Sequence, residues 1–155
     1  MLDIYVDADA CPVKKEVYRV ARRCKLKVTI VSNAYMQIPP DERFDLVVVG
    51  KGDNIADDWI VENIQQDDIC ITADIPLAAR CLKLKAHVLG SRGKIFTPES
   101  IGDTLATRNL MTSLREAGMV DTGGPPPLTK KDRSNFLNKL DQIIQKIKRA
   151  TVSSK

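Results

Sequence analysis

The sequence predicts an α/β protein: a three-layer arrangement with a mainly parallel sheet of four or five strands, flanked by helices, and a helical C-terminal third. Three observations predict it. Short apolar, β-branched runs alternate with helix-periodic stretches over residues 1–94, the pattern of repeated β-α units. Leu46-Val47-Val48-Val49 is a continuous β-branched run, as expected of a strand buried on both faces. From residue 95 onward the strand runs stop and helical periodicity takes over.

Ile4-Tyr5-Val6-Asp7-Ala8-Asp9 reads as a first strand that delivers two carboxylates at its C-terminal end, both on one face at period two. Pro12 then opens a helix, where its missing N–H costs nothing. Val13, Val17, Val20, Ala21 and Cys24 make its apolar stripe. Lys27 to Val31 is the second strand, ending in Ser32-Asn33, and Pro39-Pro40 breaks the chain before the Leu46–Val49 strand.

Gly50 to Asp58 leads into a second helix with Asp53 or Asn54 at the N-cap and Ala56, Trp59, Ile60, Asn63 and Ile64 on one stripe. Asp57 and Asp58 in its first turn are also explained by the helix macrodipole alone. Asp68 to Asp74 is the fourth strand, Pro76 opens a helix of Leu77, Ala78, Cys81 and Leu82, and Ala86–Leu89 is the fifth strand.

The helical third consists of a segment over 95–120, begun by Thr97-Pro98-Glu99 and stopped at Gly118, and a last helix over 129–149. Between them Thr122-Gly123-Gly124-Pro125-Pro126-Pro127 cannot be regular structure. Thr129 caps the last helix with Asp132 at N3, and Phe136, Leu137, Leu140, Ile143, Ile144 and Ile147 form a stripe that packs on the core or on a second copy in a homodimer. The whole reads as a single domain over 1–150, with residues 151–155 a disordered tail.

With 43% hydrophobic and 28% charged residues, the chain has a globular composition. No apolar run approaches the roughly 18 residues of a membrane span, and no basic segment precedes a signal-like core. A cytoplasmic protein without a membrane partner is therefore expected. Cys11, Cys24, Cys70 and Cys81 show no zinc-like spacing, so Cys24, Cys70 and Cys81 read as small buried hydrophobes, while Cys11 precedes a helix start that lowers thiol pKa values. The net charge of +4 is uneven: residues 130–155 carry Lys130, Lys131, Arg133, Lys139, Lys146, Lys148, Arg149 and Lys155 against Asp132 and Asp141. A basic tail on a mildly acidic body suits a polyanion, although a solvated helix face explains it more simply.

Asp7, Asp9, Asp53, Asp57 and Asp74 come from three separate stretches, each at or just past the C-terminal end of a predicted parallel strand. Right-handed crossovers point those ends the same way, so the acids should gather in one crevice. Hard oxygen donors with no histidine or thiol pattern favour Mg²⁺ or Mn²⁺, and paired metals of this kind hydrolyse phosphodiesters. The sole histidine, His87, falls within a predicted strand and reads as a packed residue. Asn33 and Thr72, at neighbouring strand ends, are candidates to orient water or a phosphate oxygen, with a plain strand residue the simpler account of Thr72. Lys51 between two glycines and Arg92 in a Gly-bounded loop are candidate phosphate contacts or ordinary solvated charges.

At these residues the sequence resembles the YaiI/YqxD family of uncharacterised bacterial proteins. The matching segments are Val6 to Pro12, Gly52 to Ile60, Ile71 to Ala78, Arg92-Gly93, Arg108, Gly123-Gly124-Pro125 and Asp132-Arg133 with Phe136. The resemblance implies a compact fold similar to PIN-type nucleases, whose acidic clusters bind Mg²⁺ or Mn²⁺, with RNA or DNA as partner. Asp7, Asp57 and Asp74 match the acidic cluster, with Asp9 beside it. The chain departs from the pattern at Asn54, where an acid is expected; Asp53 stands one place earlier.

Two other readings compete. Asp7-x-Asp9 resembles the nucleophile and acid of haloacid-dehalogenase-like phosphatases. Their second motif, however, follows the fourth strand, whereas Gly52-Asp53 through Asp57 follows the third, and Cys11 stands where Thr or Val is usual. A non-catalytic protein holding metal or nucleic acid in the same crevice is the other.

Overall fold

In a computed structural model the chain is described at residues 2–8, 13–50, 55–102 and 128–153. Six strands, β1 (Asp3–Asp7), β2 (Lys27–Ser32), β3 (Phe44–Val48), β4 (Ile69–Ile71), β5 (His87–Leu89) and β6 (Ile95–Phe96), form one sheet in the order β3-β2-β1-β4-β5-β6. All pairs are parallel except β5 with β6. The helices are α1 (Lys14–Cys24), α2 (Ile55–Asn63), α3 (Ile75–Lys83) and α4 (Lys130–Ser153). Residues 98–102 are also helical; the rest of the expected 95–120 segment and the 122–127 loop lie outside the described residues.

Side-chain alternation along β1 divides the molecule into its layers. Ile4 and Val6 face one way, into a core shared with Val13, Val17 and Val20 on the α1 side and Phe136, Leu140 and Ile144 of α4. Tyr5 faces the other way, packing with Ala56 and Ile60 of α2 and Leu77, Ala78 and Cys81 of α3. This period-two split makes a three-layer sandwich with every aliphatic residue of β1 and β4 inside. β1 and β4 are three or five residues long yet fully committed, since Ile4, Val6, Ile69, Cys70 and Ile71 are all 0% exposed.

The α4 stripe reads as the sequence predicts. Phe136, Leu140, Ile143, Ile144 and Ile147 are buried in the chain's own core, so a homodimer made through this helix has only its polar side to offer. Thr129 and Asp132 close a reciprocal capping box, with Asp132 N–H donating to Thr129 Oγ1 and Thr129 N–H to Asp132 Oδ2, each at 3.1 Å. The helix runs to Ser153, past the boundary at 149 that the stripe suggests.

Two expectations are corrected. The Leu46–Val49 run is not doubly covered: β3 is the sheet edge, Asp45 is exposed and Val48 is 50% exposed. A β-branched run reports strand propensity, but the neighbour that buries a strand is chosen by topology. The second is β6, which the sequence reading passes over as the start of the helical third and which brings the sheet to six strands. It is two residues long, below any periodicity signal, and exists because Gly90 and Lys94 close a tight turn, Gly90 N–H to Lys94 C=O at 2.8 Å. Gly93 in that turn has φ of +88°, and a Cβ there would meet Asn135 Nδ2 at 2.4 Å, so only glycine serves. Among the described residues no helix is long and apolar enough to cross a membrane.

Candidate functional site

The chain leaves β1 toward β2 on one side and returns from β3 to β4 on the other, so the strand order reverses between β1 and β4. In an open parallel sheet the carboxyl ends beside such a reversal flank a crevice that no connection fills. Asp7 is the last residue of β1 and Thr72 the residue after β4, and these two meet across it. Thr72 Oγ1 donates to Asp7 Oδ2 at 2.9 Å and accepts from Asp74 N–H at 3.0 Å. Asp74 in turn caps α3, its Oδ1 accepting from Leu77 N–H at 3.1 Å, with Pro76 in the first turn. Thr72 is 0% exposed and Asp7 is 5% exposed, and the Thr72 hydroxyl ties the Asp7 carboxylate to the Asp74 backbone.

Asp57 comes to the same crevice from α2. Its helix runs antiparallel to β1, since Tyr5 Oη donates to the C=O of Asn63 at the far end of α2, at 3.2 Å. That places the first turn, with Asp57, at the carboxyl edge. Asp57 is 9% exposed. Its carboxyl is pushed up to about 6 by burial first, then by the charges of Asp74 and Asp7, with Arg80 pulling the other way and Asp58 adding to the rise. Arg80 itself is paired with Asp58 at 2.8 Å on the exposed side. Asp74 and Asp7 therefore lie close enough to Asp57 for their charges to act on it.

Asp68 gives the contrast. It is as buried, at 5%, but lies at the opposite edge, where its carboxylate accepts from the backbone N–H groups of Asp3 (3.0 Å) and Gln65 (2.9 Å) and ties β1 to β4. A buried acid satisfied by two backbone donors has a structural role. The crevice acids crowd like charges together, which structure alone does not require.

The other candidates separate. Asn33 lies just past β2, where Val31 is in register with Asp7; its Oδ1 is buried and accepts no hydrogen bond among the described residues. Arg92 binds Asp132 at 2.7 Å, and its C=O accepts from Asn135 at 2.9 Å, so it anchors the start of α4 on the β5–β6 turn. Arg133 does likewise for α1 through Glu16 at 3.0 Å. The sequence signals neither pairing, because the partners are 40 and 117 residues apart. Asp9, Lys51 and Asp53, together with Cys11, lie outside the described residues. His87 is half-buried near Asp67, at 3.5 Å, on the edge away from the crevice. Cys70 and Cys81 are buried and Cys24 half-buried, as small hydrophobes should be.

The donor set is chemically suited to a hard dication, since Asp7, Asp57 and Asp74 offer only carboxylate oxygen. Among the described residues, however, no three His, Cys, Asp or Glu side chains are grouped closely enough to hold a metal ion.

The Asp57 charge should be measurable without any ligand. A raised folded-state pKa contributes stability below the unfolded value near 3.8 that is lost as pH rises through about 6. In EDTA, wild type should therefore gain stability as pH falls from 8 to 5, while Asp57→Asn should be flatter and more stable at pH 8 by about 1–2 kcal/mol. Urea melts at the two pH values check this, and a variant no more stable than wild type at pH 8 would remove the case for crowded charge.

Relatives agree over nearly the whole chain. A "UPF0178 protein" of Azorhizobium caulinodans is 54% identical over 149 residues, covering 96% of this chain and 93% of the relative. "UPF0178 protein amb2838" of Paramagnetospirillum magneticum is 54% identical over 149 residues, covering 96% and 98%. "UPF0178 protein bll3966" of Bradyrhizobium diazoefficiens is 50% identical over 151 residues, covering 97% and 90%. No solved structure gives a significant match. The family model described as "Uncharacterized BCR, YaiI/YqxD family" matches residues 5–146, and the chain belongs to that family.

Proposed function

We propose that the crevice between β1 and β4 is a divalent-metal-dependent site for hydrolysing phosphodiester bonds of RNA or DNA. The observation that carries this reading is the approach of Asp7, Asp74 and Asp57, from β1, the α3 cap and α2, to one strand-end edge, where burial first and then the charges of Asp74 and Asp7 push Asp57 up to about 6. Such crowding is costly in an empty site and becomes favourable when a dication is held there. The similarity to PIN-type nucleases read from the sequence points the same way.

In this reading one or two of Asp7, Asp57 and Asp74 would hold Mg²⁺ or Mn²⁺ directly, with water completing the shell and the remaining carboxylate acting through that water, and Asp9 or Asp53 would serve as a further ligand or orient the attacking water. The metal supplies Lewis acidity toward the phosphate and lowers the pKa of water. Thr72 keeps Asp7 and Asp74 in place through its two hydrogen bonds. The Asp74 cap sets one carboxylate oxygen toward α3, which holds the carboxyl plane against rotation. Burial of Asp7 keeps bulk water from screening its charge.

A second reading is a protein that holds metal or nucleic acid in the same crevice without cleaving it. One experiment separates the two. Labelled single-stranded RNA and DNA incubated with the protein in Mn²⁺, against EDTA, should be cut only in Mn²⁺. Intact substrate under every metal tested, with binding retained, would leave the non-catalytic reading in its place.

A further inference from the structure

We propose that Tyr35 is a stacking platform for an unpaired base, so that the substrate class of the acid crevice is single-stranded nucleic acid. This rests on the reading of the crevice as a phosphodiester site and goes further by naming what lies beside the cut bond.

Tyr35 is 81% exposed, the most exposed of the large hydrophobic residues among those described. It is presented by a loop fastened on both sides. Before it, Ser32 Oγ donates to Ala34 C=O at 2.8 Å and accepts from Ala34 N–H at 3.2 Å. After it, Met36 and Ile38 pack against the core beneath the loop. With Ala34 held and Met36 half-buried against the core, the ring between them is carried outward by the fold itself.

Its place in the sheet gives the exposure a use. The loop follows the carboxyl end of β2, the strand beside β1, and Val31 of β2 is in register with Asp7. One strand spacing sideways and four residues onward put Tyr35 within roughly 15 Å of Asp7, a span of about two nucleotides. Residues 33–40 carry no charge, so this approach to the acids does not repel a polyanion.

A single exposed ring cannot bury the roughly 800 Å² per partner of a stable protein interface. It does match the face of one base. Stacking on an aromatic ring needs a base out of its duplex, and every base has a π-face, so the preference is for single strands and is tolerant of sequence.

The test is fluorescence anisotropy with fluorescein-labelled single-stranded RNA, single-stranded DNA and a duplex of the same sequence, in EDTA so that nothing is cut. Wild type should bind the single strands more tightly than the duplex. Tyr35→Ala should weaken single-strand binding about tenfold, and Tyr35→Trp should restore it. If wild type binds or cuts nucleic acid while Tyr35→Ala binds as wild type does, the platform is wrong and the hydrolase reading stands. If wild type neither binds nor cuts any of the three, both fall together. Should Tyr35→Ala instead change the mass seen in sedimentation and leave nucleic-acid binding untouched, the residue is a protein contact and the platform is overturned. Because the side chain is almost wholly in solvent, each variant is expected to fold.

Discussion

Asp7→Asn is expected to lose Mn²⁺-dependent cleavage by on the order of 100-fold or more, with the fold intact. Asparagine has the same shape, and its side-chain oxygen can still accept the Thr72 hydroxyl that Asp7 Oδ2 now accepts at 2.9 Å. What disappears is the charge, at 5% exposure, in the position that joins β1 to β4 across the strand-order reversal. Stability should hold or rise, because removing one of the charges that raise Asp57 relieves the crevice. Gel assays of cleavage and urea melts on the same preparation separate the two effects. Undiminished cleavage by a well-folded Asp7→Asn variant would count decisively against metal chemistry at this site.

Phe136→Ala is expected to have the largest effect on stability, a loss of about 3–5 kcal/mol. Phe136 is 0% exposed and heads the fully buried side chains by volume. It sits in the first turns of α4, in one core with Val6 of β1, Val17 and Val20 of α1 and Leu89 of β5. Removing it leaves a cavity under a helix whose start is pinned by the capping box and by Arg92 and Arg133, so the site cannot collapse freely. The loss is a large fraction of the 5–15 kcal/mol that holds a domain folded. Asn138→Ala on the exposed side of the same helix should stay within about 0.5 kcal/mol. A urea midpoint that barely moves for Phe136→Ala would mean that α4 does not pack on this core.

The α4 helix was largely legible in the chain because its signals are local: a cap three residues from its partner and a stripe at helical spacing, from Phe136 to Ile147. The same is true of Asp74 with Pro76 at the start of α3. That acids would end β1 and precede α3 also followed from the residues, since strand runs and caps are read over a few positions.

Roles that depend on distant partners were not legible. Thr72 looks like any β-branched strand residue until Asp7, 65 positions away, is placed beside it. Arg92 looks like a loop charge until Asp132 meets it, and Tyr35 like any loop residue until its anchors and its edge are known.

The sequence by itself determined where strands and helices form, which faces of them are apolar and that carboxylates stand at strand ends, because each of these is encoded within a turn or two of the chain. Only the tertiary structure decided that β3 lies at an edge, that β6 adds an antiparallel strand and that Thr72 meets Asp7. Strand order and the side on which each crossover passes are settled by which apolar faces bury one another, and that choice sums contacts over the whole chain.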